Sequence, residues 1–483
     1  MTALRRDWAL VAAVVLVYAI GYAIYYPKIP INADEAAYLN QAVLLSRGQT
    51  VSFKIDAPTG AVLAHRASDY PLGTAALLAP FVGVAGSRGA YVAPLLCLVL
   101  GVALTARWLQ DAGRSPLFAL LVLGFPPTLA LGRVAMSDVP SLAVVALGLW
   151  LFWRGLGGSR LAWLASGFAA GASLCIRESN ALPFVGFFAG ALLRRDRHSL
   201  LLVVGGIAGV ALRLASSAWA FGNPLHYKSS SAVFMRHGLL DAFALQALGL
   251  LVFVPGGLLC AIAYRGARRA EVIAGCLLFS GFYLLFGYAA AELGLLNRIA
   301  LGLRFYIPLL PLLAFAAAEA MPRFARSALA WAGPRRAPLL RSLAWQAIAL
   351  WIGGIAIGAA AVHPILDRFT SSQLAIRDAI REHAGVDSLV LSNLIATVEY
   401  LPWLEARYGP INVADITPSQ ASALVRRHPN AYLVLLDKSE SRFWREEAQR
   451  NAEFAAALLP TPQLELDRQL SDRERLRIWR LGP

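Results

Sequence analysis

Charge is scarce in this chain. Of its 483 residues only 15% are Asp, Glu, Lys or Arg, against about 25% in a typical soluble domain. Acids are the scarcer sign, 29 against 44 bases, and lysine is nearly missing: Lys28, Lys54, Lys228 and Lys438 stand beside 40 arginines. There are only four cysteines, Cys97, Cys175, Cys260 and Cys276. All lie in apolar stretches, which leaves no disulfide or zinc framework and reads them as small buried hydrophobes. Internal repeats and low-complexity segments are lacking too. What fills the chain instead is 58% hydrophobic residues, with a mean hydropathy of +0.57. That balance excludes a disordered chain, a secreted disulfide scaffold and an ordinary cytosolic enzyme. It points to a polytopic α-helical membrane protein.

The charge is unevenly placed. Residues 363–483 hold 15 bases and 16 acids, a net of −1, so residues 1–362 hold 29 bases and 13 acids, a net of +16. Basicity therefore belongs to the apolar part, where arginines between spans set membrane orientation. A nucleic-acid partner is excluded on the same ground, since it would need a basic face on the soluble part. Two domains are expected: a transmembrane one over 1–362 and a small α/β one over 363–483.

A helix crosses the hydrocarbon core with roughly 20 apolar residues. Eleven stretches qualify, near 8–26, 89–109, 115–132, 139–154, 160–176, 180–193, 199–221, 242–264, 270–290, 304–321 and 341–362. The first follows Arg5 and Arg6 and ends at Tyr25-Tyr26-Pro27, which reads as a retained span and not as a signal peptide. The stretch 71–86 is shorter and reads as a re-entrant or interfacial helix on the outer face. With the N-terminus inside, every short inner connection is basic: Arg5/Arg6, Arg107/Arg114, Arg154/Arg160, Arg194/Arg195/Arg197, Arg265/Arg268/Arg269, and the run Arg323 to Arg341. An odd count then puts the C-terminal domain outside. In that domain, 371–384, 418–428 and 439–459 have helical patterns, and 388–391, 432–437, 464–466 and 475–481 read as strands.

Eight of the 13 membrane-part acids fall on the expected outer side: Asp34, Glu35, Asp56, Asp69, Asp138, Glu178, Asp241 and Glu292. Ionisable groups at membrane depth are costly and tend to mark function. In Asn32-Ala33-Asp34-Glu35, Asn32 can cap a helix with Glu35 completing a capping-box-like pair. The same geometry offers a carboxylate at a helix start as a base or metal ligand. Asp138 stands before Pro140 and suits an N-cap. Arg177-Glu178-Ser179-Asn180 reads as a snorkelling ion pair at a tight loop. Residues Phe221 to Lys228 read as a turn into an outer loop. Arg304 and Tyr306, in Arg304-Phe305-Tyr306-Ile307-Pro308, suit an interfacial anchor or a phosphate site, because a guanidinium fork matches phosphate oxygens. Arg213 lies inside its span and reads either as snorkelling or as part of a cavity.

Together these pieces carry a resemblance. Asp34-Glu35 with Tyr38, Tyr70-Pro71-Leu72-Gly73, Met136-Ser137-Asp138-Val139-Pro140, Phe221-Gly222-Asn223-Pro224-Leu225 and Arg304-Phe305-Tyr306-Ile307-Pro308 follow in order over residues 1–320. The pattern resembles the GT-C superfamily of integral-membrane glycosyltransferases, in particular the bacterial relatives of protein O-mannosyltransferases and the lipid A aminoarabinose transferase. The resemblance implies transfer of a sugar from a polyprenyl-phosphate donor to an acceptor hydroxyl on an envelope glycan, lipid or protein. The place would be the outer face of the bacterial cytoplasmic membrane. It implies Asp34 as the base that takes the hydroxyl proton, supported by Glu35, with Asp138 as the second acid. The donor phosphate, whose growing charge needs fixed positive groups, falls to Arg304, then Arg177 and Arg133. Substrate contacts fall to Tyr38, Tyr70, Glu178, His226, Lys228 and Tyr306. The resemblance fixes no cofactor; a divalent metal is compatible with the acids. Attack in line would invert the anomeric centre. Two rivals share the spans and the intramembrane charges: a transporter or lipid flippase, and a non-catalytic partner of an envelope assembly.

Overall fold

The computed structural model describes residues 3–55, 59, 61–66, 68–226, 239–254, 256–285, 303–385, 388–393, 411–428, 430–438, 442–458, 463–471 and 474–481. In chain order the elements are α1 (Ala3–Ile24), α2 (Ala33–Ser46), β1 (Val51–Ile55), β2 (Val62–Arg66), α3 (Leu72–Gly89), α4 (Val92–Asp111), α5 (Leu120–Leu123), α6 (Pro126–Leu131), α7 (Asp138–Leu156), α8 (Arg160–Ala172), α9 (Leu182–Leu193) and α10 (Leu200–Phe221). They continue with α11 (Leu239–Phe253), α12 (Gly257–Ala263), α13 (Arg269–Leu285), α14 (Leu310–Phe369), α15 (Ser371–His383), β3 (Leu389–Ser392), β4 (Ile411–Asn412), α16 (Pro418–Arg427), β5 (Ala431–Lys438), α17 (Arg442–Leu458), β6 (Gln463–Ser471) and β7 (Glu474–Arg480). The chain forms two compact units, one of Met1–Tyr26, Pro71–Thr74 and Val92–Pro364, the other of Pro27–Tyr70, Ala75–Tyr91 and Ile365–Pro483. Thus the unit that holds the tail also takes in residues 27–70 and 75–91, which no composition signal announces.

The first unit is helical. Leu4–Ile24, Val92–Asp111, Asp138–Leu156, Leu200–Phe221 and the run Arg304–His383 are each long and apolar enough to cross a membrane. The pair Gln246–Phe253 and Gly257–Ala263, bent by 85°, would be a sixth. The remaining expected spans hold shorter or interrupted helices. Over 115–132 the chain makes a 3-10 turn at Pro116–Ala119, then α5 and α6, with Pro126 and Pro127 opening the latter. Proline lacks the amide hydrogen a continuous helix needs. The stretch 180–193 starts as a 3-10 turn at Glu178–Ala181 and yields twelve residues of α9. In α14 the helix breaks at Gly333, whose φ of 71° only glycine adopts easily, with Pro334 next.

Many apolar side chains stay outside the core. On α1, Leu16, Ile20 and Ile24 are exposed, and on α10 Val204 and Ile207. Continuous apolar surface of this kind is tolerated in lipid and not in water. The opposite face of α10 buries Gly205, Gly209 and Arg213. Gly167 and Gly171 of α8 meet that face, and the four-residue spacing on both helices puts the glycines on one side. The backbones come so close that a Cβ on Gly205 would lie 2.0 Å from the Leu164 carbonyl oxygen.

In the second unit β1 and β2 form an antiparallel hairpin, Val51 opposite Arg66 and Ile55 opposite Val62. From sequence alone Lys54, His65 and Arg66 read as outer-loop residues. The helix α3 covers the stretch expected to be re-entrant and leaves helical geometry at Ala85 and Gly86. The tail folds as a five-stranded mixed sheet in the order β4-β3-β5-β7-β6, with β3 parallel to β4 and β5, and β7 antiparallel to β5 and β6. Alternation along the strands serves two cores. Leu389, Leu391, Leu433 and Leu435 pack with Leu424 and Val425 of α16, while Val390, Tyr432, Val434 and Leu436 pack with Ile376 and Ile380 of α15. On β6 and β7, Arg475 pairs with Asp467 and holds its carboxyl below the usual range.

Candidate functional site

In the second unit the acids at the start of α2 are ordered by local hydrogen bonds. Asn32 caps the helix, its Oδ1 accepting from the Glu35 amide at 2.9 Å. Glu35 is buried, and its Oε2 accepts from the Ile31 amide at 2.7 Å. This is the expected capping pair, shifted by one residue: the carboxylate reaches the amide before the cap. Glu35 thereby shapes the turn, and Asp34 is the half-exposed acid. The Tyr70 hydroxyl donates to Asp34 Oδ1 at 2.5 Å. Tyr70 is itself placed by Tyr38, whose ring lies 4.5 Å from its own, and by Gln41, which donates to its carbonyl at 3.3 Å. Four residues singled out in the sequence, Asp34, Glu35, Tyr38 and Tyr70, thus stand together.

In the first unit a second cluster surrounds Asp138. The side chain of Asp138 is wholly buried. It does not cap α7, where Ser137 holds the cap position without a side-chain capping bond. Arg177 Nη2 donates instead to Asp138 Oδ1 at 2.9 Å and to Ser137 Oγ at 2.7 Å. The local ion pair expected between Arg177 and Glu178 is replaced by two long-range ones, because Glu178 accepts from Arg213 at 3.3 Å. Arg213 also donates to the His226 carbonyl at 2.8 Å, and the His226 ring stacks on Phe221 with centroids 4.0 Å apart. So Arg213 is a buried tie between α10 and its neighbours.

Arg304 is buried at the start of the 3-10 helix Arg304–Leu309. Its guanidinium lies 5.1 Å from the centre of the Phe305 ring, and that of Arg177 lies 5.4 Å from the same ring. Tyr283 stacks on Phe305 at 5.0 Å. Tyr306 donates to Gln246 Oε1 at 2.5 Å, and Gln246 donates to the Tyr283 carbonyl at 3.2 Å. Two guanidiniums thus lie about one ring, and the buried carboxylate of Asp138 holds that of Arg177. Ser179 joins them, its Oγ 2.6 Å from the Tyr283 hydroxyl. Sequence reasoning missed Tyr283 and Gln246 as members. A glutamine inside the apolar α11 was the available signal.

Arg133 has a different setting. Its Nη1 donates to the His363 carbonyl at 2.8 Å, and the His363 ring packs edge-on to Tyr18. The arginine ties α14 to its surroundings. Lys228, Asp56 and Glu292 lie outside the described residues. Among the described residues no group of three or more His, Cys, Asp or Glu side chains could hold a metal ion.

No family model and no curated protein matches the sequence. Solved structures do match. Over 99% of the chain the fold is similar to ArnT from Cupriavidus metallidurans, covering 98% of that protein, with a TM-score of 0.66 and 15% identity in the apo state. The figures are 0.63 and 14% for the same protein bound to undecaprenyl phosphate. The Archaeoglobus fulgidus oligosaccharyltransferase in its apo form matches 89% of the chain over 69% of its own length, with a TM-score of 0.50 and 10% identity. The chain has the GT-C fold, a polytopic helical membrane fold.

Proposed function

We propose that this protein is a membrane glycosyltransferase that moves a sugar from a polyprenyl-phosphate carrier to an acceptor hydroxyl. The observation that carries the reading is Asp34, a half-exposed carboxylate held by the Tyr70 hydroxyl at the start of α2, in a chain with the GT-C fold. An alcohol is a poor nucleophile at neutral pH, so a positioned carboxylate must take its proton. Asp34 is the base and Glu35 keeps its turn in shape. A lipid phosphate leaves without a proton but with growing charge, which fixed guanidiniums offset; Arg304 and Arg177 are assigned that role. Asp138 is assigned to orient Arg177. Attack opposite the leaving phosphate inverts the anomeric carbon. The likeness to a protein solved with undecaprenyl phosphate supports a carrier of that class.

In this reading eleven spans cross the bacterial cytoplasmic membrane, residues 1–362 are the catalytic domain, and residues 363–483 lie outside with the acids. The test is Asp34→Asn in full-length protein supplied with a polyprenyl-phosphate sugar. Loss of transfer by a factor of about 10²–10⁴, with unchanged expression and melting temperature, supports the assignment. Turnover at the wild-type rate would remove Asp34 from the reaction.

A further inference from the structure

One feature of the first unit stands apart from the acids discussed above. An open cleft of about 730 Å³ lies at the connection between α9 and α10, lined by Arg160, Arg195, Asp196, Arg197 and His198 with the first residues of α10. The acids of this region are engaged elsewhere. Asp196 pairs with Arg268 at 2.8 Å, and Glu271 pairs with Arg194 at 2.9 Å. Among the described residues Arg160, Arg195 and Arg197 have no carboxylate within ion-pair distance. Arg160 instead donates through Nε to His198 Nε2 at 3.3 Å, which requires an unprotonated nitrogen there. Loss of solvation and the neighbouring Arg160 and Arg197 charges hold the His198 pKa below its ordinary value. Three unpaired guanidiniums around one cleft repel each other, and a bound anion offsets that repulsion.

Leu192, Leu200 and Leu201 also line the cleft, and Leu200 is 72% exposed. Leu161 and Leu193, beside Arg160 and Leu192 in the chain, are 74% and 84% exposed. Guanidiniums beside outward leucines at the end of apolar helices suit an amphiphile, with its headgroup on the cations and its chains along the leucines. Basic pockets between spans on the cytoplasmic side take such headgroups, and the charge rule assigns this connection to that side. We propose that Arg160, Arg195 and Arg197 form a binding site for the phosphate group of an anionic phospholipid, separate from the Asp138 cluster and with no part in transfer.

The test uses full-length protein in neutral detergent, titrated with dioctanoyl phosphatidylglycerol, dioctanoyl phosphatidylcholine or inorganic phosphate. Binding is read by native mass spectrometry and by the melting temperature. The anionic lipid should bind and raise the melting temperature, while the zwitterionic lipid should not. R195Q/R197Q should weaken anionic-lipid binding by roughly 25-fold, about fivefold for each arginine. R335Q/R336Q, a basic pair that does not line the cleft, should leave it unchanged, as should Asp34→Asn. Equal binding of the two lipids, or wild-type affinity in R195Q/R197Q, would overturn the site. Inorganic phosphate binding as tightly as the anionic lipid would overturn the lipid assignment.

Discussion

Arg177, in the turn before α9, donates to the fully buried carboxylate of Asp138 in the first turn of α7 at 2.9 Å. The pair joins two segments 39 residues apart. Removing one partner strands the other in a low dielectric, at a cost of about 3–5 kcal/mol. Asp138→Asn and Arg177→Gln should each lower the melting temperature, and the double variant should lose less than the two losses added together. A double-mutant cycle on detergent-solubilised protein measures this. Strict additivity would deny the coupling.

Tyr70 is expected to act through Asp34 and not on substrate directly. Tyr70→Phe deletes the donor at 2.5 Å and keeps the ring that packs on Tyr38. Under the transfer mechanism kcat should fall about tenfold, the size of one lost charge-assisted hydrogen bond of roughly 1.5 kcal/mol, with KM for the donor little changed. A rise in KM at constant kcat would make Tyr70 a binding residue instead.

The α8–α10 contact depends on missing side chains. Gly205→Leu would drive atoms into the Leu164 carbonyl, and the backbones cannot part without loss of the interface. The expected destabilisation is about 1–3 kcal/mol or more, read as a lower melting temperature or failure to accumulate. Gly353→Ala in α14 is the control. A Cβ there meets nothing within 4 Å, and helix propensity predicts a gain of up to about 1 kcal/mol.

Orientation is open to a direct check. An export-dependent phosphatase fused to the C-terminus of the full chain should be active, and a fluorescent protein that matures only in the cytoplasm should be dark there. The opposite pair of signals would reverse the faces assigned from the arginines and move the acids to the cytoplasmic side.

Local pattern was legible where local pattern decides. The strand read over 432–437 is β5, Ala431–Lys438, and the helix read over 371–384 is α15, Ser371–His383. Alternation and helical period are properties of a dozen residues. The hairpin β1–β2 escaped because Lys54, His65 and Arg66 lie in what reads as a polar loop, although Val51-Ser52-Phe53-Lys54-Ile55 does alternate. The Asn32–Glu35 cap was legible for the same reason as the strands, since both partners sit within four residues.

By itself the sequence determined the class of molecule, the segregation of charge between its two parts and the short polar motifs that interrupt the apolar runs. Those are sums over composition or features of neighbouring residues. Only the tertiary structure decided the partners. Arg177 goes to Asp138 and not to the adjacent Glu178, Glu178 goes to Arg213, and Arg133 goes to His363, 230 residues away. Polar contacts at such separations are set by how helices pack. A hydropathy pattern records which face of a helix is apolar, but not which other helix will meet it.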